Sequence, residues 1–355
     1  MKYIKSLDAI RAFAVIIVVV WHWWHPINPV RNLFIPGGEF GVTLFFVLSG
    51  YLITSILLKA KQGNKGTLEI IKNFIIRRAL RIFPLYYAFI AVLILIQFPF
   101  GKGHLVYFLT YTSNFLSIKE RSWNTFSHTW SLSVEEQFYL IWPWLILLIK
   151  DKYLKYLFIS SILIAVFSVF FSIKILHIHF DPIFTSSCFD AFGIGGAYAY
   201  ASLNEDRLKK FIRYLRLFLP LALLIYFAEK IVPFFGIFPL TMSFDRTTDS
   251  IISVWLIHLA ITNKSIWIKN KILENKFINL IGKMSYGIYL IHYPFPGIFY
   301  NCVNMLVNKF PRLKFLFSSH FFNTLFMCFA LFFICYLSFE FFERRVTGFK
   351  RKFNY

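Results

Sequence analysis

Arg11 and His22 stand eleven residues apart in the stretch SLDAIRAFAVIIVVVWHWWH. On a helix that spacing is three turns plus about 20°, so the two side chains share one stripe, roughly 16 Å apart along the axis. A histidine titrates near neutral pH and can take a proton from a hydroxyl, so His22 reads as a general base facing a protein-lined cavity. A blander reading stands beside it. His22 and His25 lie among Trp21, Trp23 and Trp24, and such residues gather in belts at membrane surfaces. Asp8 precedes Arg11 by three positions, the spacing of a helical ion pair, which on the bland reading is a terminal anchor.

Two further groups carry charge where an apolar helix does not ask for it. RRALRIFPLYY places Arg77, Arg78 and Arg81 at i, i+1 and i+4, so Arg78 and Arg81 share a face, as do Arg77 and Arg81. Guanidiniums grouped at a helix start can hold phosphates in fork geometry, or simply anchor the helix at a membrane surface. Glu135 and Glu136 open the apolar stretch SLSVEEQFYLIWPW, with His128 and Trp130 just before it. Ser133 and Glu136 fit a capping box, which accounts for Glu136 and leaves Glu135 over. The pair reads either as a site at a helix mouth or as a solvated helix start. Downstream, MSYGIYLIH sets Tyr286, Tyr289 and His292 near a helix end with Tyr293 following, and LSFEFFERR sets Glu340 and Glu343 beside Arg344.

The elements that must position these groups are membrane helices. The 355 residues are 58% hydrophobic, with 46 Phe and a mean hydropathy of +0.61. Only 15% are charged, against about 25% in soluble domains. This excludes a soluble enzyme, a secreted disulfide scaffold and a disordered chain, and the fold class is an all-α integral membrane protein. Cys188, Cys302, Cys328 and Cys335 show no paired spacing, so neither a disulfide nor a metal site is assigned. A span needs about 20 residues. Ten segments qualify, at roughly 8–26, 38–58, 80–99, 132–149, 154–175, 186–202, 211–229, 247–262, 279–298 and 320–341, the sixth and eighth being short. The apolar segment 231–244, with Pro233, Gly236 and Pro239, reads as a re-entrant or interfacial loop.

The formal charge of +21 concentrates in alternate gaps. The 59–81 connection holds Lys59, Lys61, Lys65, Lys72 and the three arginines against Glu69, and later even gaps and the tail repeat the bias. Bases set between apolar runs point to a membrane face and not to nucleic acid, and the positive-inside rule places both termini in the cytoplasm. The start of the chain does not read as a signal peptide, because Arg11 and His22 interrupt its apolar run. Residues 1–344 form one transmembrane unit on this reading, and 345–355 a short basic cytoplasmic tail.

Taken together, LDAIRAFAVIIVVVWH, GVTLFFVLSGYLI, RRALRIFPLY, TWSLSVEEQFYLIWP, FDAFGIGGAYA and SYGIYLIH resemble the acyltransferase family 3 membrane proteins, which include O-acetylases of bacterial surface polysaccharides. The resemblance implies a ten-helix inner-membrane enzyme that moves an acyl group, usually acetyl from cytoplasmic acyl-CoA, onto a hydroxyl of an envelope polysaccharide or lipid-linked sugar. It assigns the family's Arg–His pattern to Arg11 and His22, its arginine pattern to Arg77, Arg78 and Arg81, and its acids to Glu135 and Glu136. It implies acyl-CoA as co-substrate, no metal, membrane lipids and no nucleic acid as surroundings, and a stand-alone form without an extracytoplasmic hydrolase-like domain. The position after Val42, often acidic in the family, is Thr43 here. On this reading His22 acts as base or acyl carrier, Arg11 orients it or the developing oxyanion, and the three arginines hold donor phosphates. Two rivals use the same residues without covalent chemistry: an exporter of a sugar or amphiphile with a charge relay, and a structural partner in an envelope assembly that tolerates loss of His22.

Overall fold

The computed structural model describes residues 3–24, 36–101, 103–123, 126–174, 183–231, 244–263, 265–317 and 319–353. His25 and most of the 231–244 segment lie outside the described residues. The described residues fold as helices joined by turns. The long ones are α1 (Ser6–Trp23), α2 (Gly38–Lys61), α3 (Thr67–Leu95), α4 (Trp130–Leu148), α5 (Leu154–Lys174), α6 (Phe189–Ala201), α7 (Glu205–Ile231), α8 (Asp245–Thr262), α9 (Lys276–Ile291), α10 (Phe295–Lys309) and α11 (His320–Ser338). Six stretches among the described residues are single helices long and apolar enough to cross a membrane, or seven if the bent pair Asp245–Thr262 and Ile266–Leu273 counts as one. The chain is a multi-pass membrane protein.

Packing divides the helices into two sets. In α2, 72% of the most apolar window is buried, against 17% in α7 and in the run that contains α11. The outer helices expose Leu217, Leu221, Leu224, Phe329 and Phe333. Water would penalise such a surface, whereas lipid accepts it and requires only that the backbone bond internally. The inner set is drawn together by missing side chains. Gly50 of α2 faces the Phe192 carbonyl of α6, where a Cβ would lie 2.2 Å away, and Gly195 of α6 returns the contact to the Val47 carbonyl at 2.1 Å. Backbone-to-backbone approach of this kind is the usual glue between membrane helices. It explains α6, which packs between α2, α5 and α8 with ten of its 13 residues buried.

Three boundaries differ from the sequence reading. Helix α3 starts at Thr67 and not near residue 80, because Ile70, Ile71 and Phe74 already form a buried helical stripe. The arginines therefore sit in mid-helix. The ninth span, expected over 279–298, is two helices, since Pro294 and Pro296 supply no N–H to continue α9. Helix α4 starts at Trp130, so Ser133 caps nothing. Its hydroxyl instead meets Ser113 Oγ at 2.9 Å. Beyond α11 the chain continues through a widened turn, Phe339–Glu343, into Arg344–Gly348 and a tight turn at Phe349–Lys352.

Candidate active site

Helix α1 carries a different kind of site at each end. Near its start, Asp8 is buried and accepts a 2.6 Å bond from Arg11, as the spacing predicts. Arg11 lines a cavity of about 80 Å³ together with Arg78 and Arg81 of α3, Glu135 and Tyr139 of α4, and Tyr286 of α9. Helix α9 reaches α1 here because residue 282 is glycine: a Cβ there would lie 1.9 Å from the Asp8 carbonyl. Glu135 accepts hydrogen bonds from Ser49 and Tyr139. Arg78 stacks over the rings of Tyr139 and Phe74, at 5.0 and 5.6 Å, which fixes the plane of the guanidinium while leaving its N–H groups available. Arg81 lies within electrostatic reach of Arg11, Arg78 and Glu135.

The other candidate residues face elsewhere. Arg77 donates to the backbone carbonyls of Lys350 at 3.0 Å and Phe353 at 2.7 Å, so the structure does not bring it to the cavity. Glu136 is one residue on from Glu135 and thus about 100° around α4. It lines a separate groove of about 580 Å³ between α3 and α4. One of its oxygens is buried without a hydrogen bond among the described residues. Arg78 and Tyr139 border both spaces.

At the far end of α1, His22 Nδ1 lies 2.9 Å from the Val18 carbonyl and 3.2 Å from Nε2 of His292. The carbonyl requires Nδ1 to carry the proton, which leaves the lone pair of His22 on Nε2. His292 is fully buried, and its own Nδ1 donates to the Tyr289 carbonyl at 2.6 Å. His128 donates from Nε2 to the Leu290 carbonyl at 3.0 Å, while its Nδ1 is buried with no partner among the described residues. Burial pushes His128 down to about 3, so it stays neutral. Tyr293 stacks on His128 at 5.0 Å and meets His22 edge-on at 4.9 Å.

The break after α9 explains why these rings find carbonyls. An uninterrupted helix would bond the Leu290 carbonyl to residue 294 and the His292 carbonyl to residue 296. Both are prolines, so the two oxygens are released. His128 takes the first, and Trp23 Nε1 takes the second at 2.9 Å. The two ends of the site are joined by Tyr289. Its ring borders the cavity and its hydroxyl meets Ser131 Oγ at 2.5 Å and the His128 carbonyl at 3.1 Å. Among the described residues, no group of three or more His, Cys, Asp or Glu side chains converges as a metal site.

Of the residues expected from the sequence, Arg11, Arg78, Arg81 and Glu135 meet at one end of α1 and His22 lies at the other, whereas Arg77 and Glu136 face elsewhere. The sequence reading gave no site role to Ser49, Tyr139, Ser131, Tyr289 or His292. For His292 a signal existed in Pro294 and Pro296, which mark where a membrane helix must release carbonyls.

The membrane helices thus set half-buried charged side chains around a cavity at one end of α1 and a histidine pair at the other. The chain belongs to the family described as acyltransferase domain, which it matches over residues 4–342. It is 31% identical over 325 residues to a putative peptidoglycan O-acetyltransferase, YrhL, of Bacillus subtilis, covering 82% of this chain and 48% of that protein. It is 37% identical over 169 residues to the peptidoglycan O-acetyltransferase OatA of Listeria monocytogenes, covering 43% of this chain and 26% of that protein. A putative O-acetyltransferase of Staphylococcus aureus is 29% identical over 328 residues, 82% of this chain and 50% of the relative. The chain thus spans about half the length of the relatives it matches most fully. No solved structure matches it.

Proposed function

We propose that this chain transfers an acyl group, acetyl in the first instance, from acyl-CoA to a hydroxyl of a cell-envelope glycan or lipid-linked sugar. The observation that carries this reading is α1 itself, which joins an arginine-lined cavity to an oriented histidine. Family membership supports it, as do the O-acetyltransferase names of the relatives. In this reaction His22 Nε2 takes the proton of the acceptor hydroxyl as its oxygen attacks the thioester carbonyl. The carbon–sulfur bond breaks, and the leaving thiolate takes the proton back from the imidazolium. His292 holds the His22 ring, and Arg78 and Arg81 hold the donor's phosphates. Arg11, fixed by Asp8, balances negative charge in the cavity. Thiol release from acetyl-CoA by the purified protein, with an envelope glycan fraction present, tests this. Release that is absent in the parent returns the chain to an exporter reading. Mass analysis of envelope glycans made with and without the protein then names the acceptor.

The accompanying topology is ten spans in a bacterial inner membrane, with both termini and the 345–355 tail cytoplasmic. It rests on the basic gaps after α2, α4, α6 and α8. It also lets the arginine end meet a cytoplasmic donor and the histidine end an external acceptor. Single cysteines at positions 65 and 119, in a background lacking the native thiols, test it in intact cells. An impermeant reagent should label 119 and spare 65, and the reverse pattern would invert the orientation.

A further inference from the structure

The segment after α11 carries charge that the reaction outlined above does not use. Arg77 grips it by two backbone carbonyls, those of Lys350 and Phe353. Both Arg344–Gly348 and Phe349–Lys352 pack against α3, the helix that bears the arginines. The ammonium of Lys350 is thereby brought within electrostatic reach of Arg81, Arg78 and Arg77. Lys350 is half-buried, and its ammonium makes no hydrogen bond or ion pair among the described residues. Arg78 lies over two ring faces. Arg81 has Glu135 within reach and Arg78 has Glu136, whereas around Lys350 itself Glu343 is the acid set against the three arginines.

Gathering like charges in half-buried surroundings is unfavourable in itself. Natural folds hold such groups together where an anion joins them, and phosphate oxygens suit both the guanidinium fork and the ammonium. We infer that the C-terminal segment completes a phosphate-ester site, in which Lys350 stands beside Arg78 and Arg81 and Arg77 is the backbone clamp that sets it there. Arg78 and Arg81 also line the cavity of the proposed reaction. A nucleotide-linked thioester therefore reaches the site from that cavity, an assignment that rests on the acyl-transfer reading. A phospholipid headgroup presents the same chemistry and is the other source.

The clamp gives a clean test, because Arg77 holds the backbone of residue 350 and not its side chain. Lys350→Gln removes the charge and leaves the clamp in place. The full chain, purified in a phosphate-free sugar detergent, is titrated with coenzyme A by calorimetry. Its retention of phosphatidylglycerol is followed by native mass spectrometry. A charge-assisted hydrogen bond contributes about 1.5–3 kcal/mol, so Lys350→Gln should weaken coenzyme A binding about tenfold or more. Arg77→Gln should do the same by releasing the segment, and Lys350→Arg should stay within about threefold of the parent. If Lys350→Gln leaves coenzyme A binding intact but loses the lipid, the site stands and its anion is a headgroup. If the parent binds no coenzyme A while Lys350 still governs lipid retention, the acyl-transfer reading fails and the phosphate site does not. If neither ligand responds to Lys350→Gln, Lys350 is a solvated tail residue and the inference is overturned.

Discussion

The two ends of α1 are built on opposite principles. At the Arg11 end the working groups are long side chains. Arg78 is held through ring faces and the nearby charge of Glu136, and Arg81 through nearby charges. At the His22 end the three imidazoles of His22, His128 and His292 are each tied to a backbone carbonyl, those of Val18, Leu290 and Tyr289. The first arrangement tolerates movement, as a phosphate-bearing ligand entering a cavity requires. The second fixes a tautomer and a direction, as proton transfer requires. The difference separates affinity from rate along one helix, so substitutions at the two ends should move different kinetic constants.

His22→Gln makes the deepest cut. Turnover should fall by about 10²–10⁴-fold, the usual contribution of a general base, while coenzyme A affinity and purification yield stay at the parent level. If turnover stays within about threefold of the parent, far short of a base's contribution, His22 is an interfacial residue and the contrast between the ends disappears. The base would then be sought at Glu135, Glu136 or His128. His25→Ala should be milder in the same assay.

The mirror experiment is the double substitution Arg78→Gln with Arg81→Gln. Two lost charge-assisted contacts, each about 1.5–3 kcal/mol, should weaken donor affinity about 100-fold or more, with a smaller change in kcat. An unchanged dissociation constant would make both residues anchors. A finer probe is His292, which acts through His22. The net value of one hydrogen bond is about 0.5–1.5 kcal/mol, so His292→Ala should lower kcat about two- to tenfold at constant donor KM. His292→Asn should restore part of the loss by keeping a polar partner for His22. A drop in donor affinity with either variant would show that the two ends are not separable. Smallest of all is Glu340→Gln. It breaks an exposed pair with Arg344 of a kind that contributes about 0–1 kcal/mol, so thermal midpoint and turnover should both stay near the parent values.

Much of this was visible in the chain before folding. The three-residue spacing gave the Asp8–Arg11 pair, and the eleven-residue spacing put Arg11 and His22 on one stripe. Charge in an apolar run marked Arg78, Arg81 and Glu135. What escaped was the pairing of distant residues. His292 and His22 are 270 positions apart, and only a tertiary fold can bring them within 3.2 Å. Arg77, Arg78 and Arg81 look alike in sequence. Their separation into a tail clamp and a cavity wall depends on where the C-terminal segment docks. Helix α6 falls within the short span expected at 186–202, but what secures its 13 residues, close glycine contacts rather than a long apolar surface, was not legible there. Ser133 matched a capping pattern, but the helix had already begun at Trp130.

Helix α1 is pinned at both ends, by the contact of Gly282 with the Asp8 carbonyl and by the bond from Trp23 to the His292 carbonyl. It cannot slide or turn to absorb a change in its own length. One residue added between Arg11 and His22 would turn everything beyond it by about 100° and advance it by about 1.5 Å. Each functional side chain would still be present, yet the imidazole would point away from His292. What α1 transmits along the chain is therefore a phase, and an insertion or deletion that alters no named residue is enough to erase it.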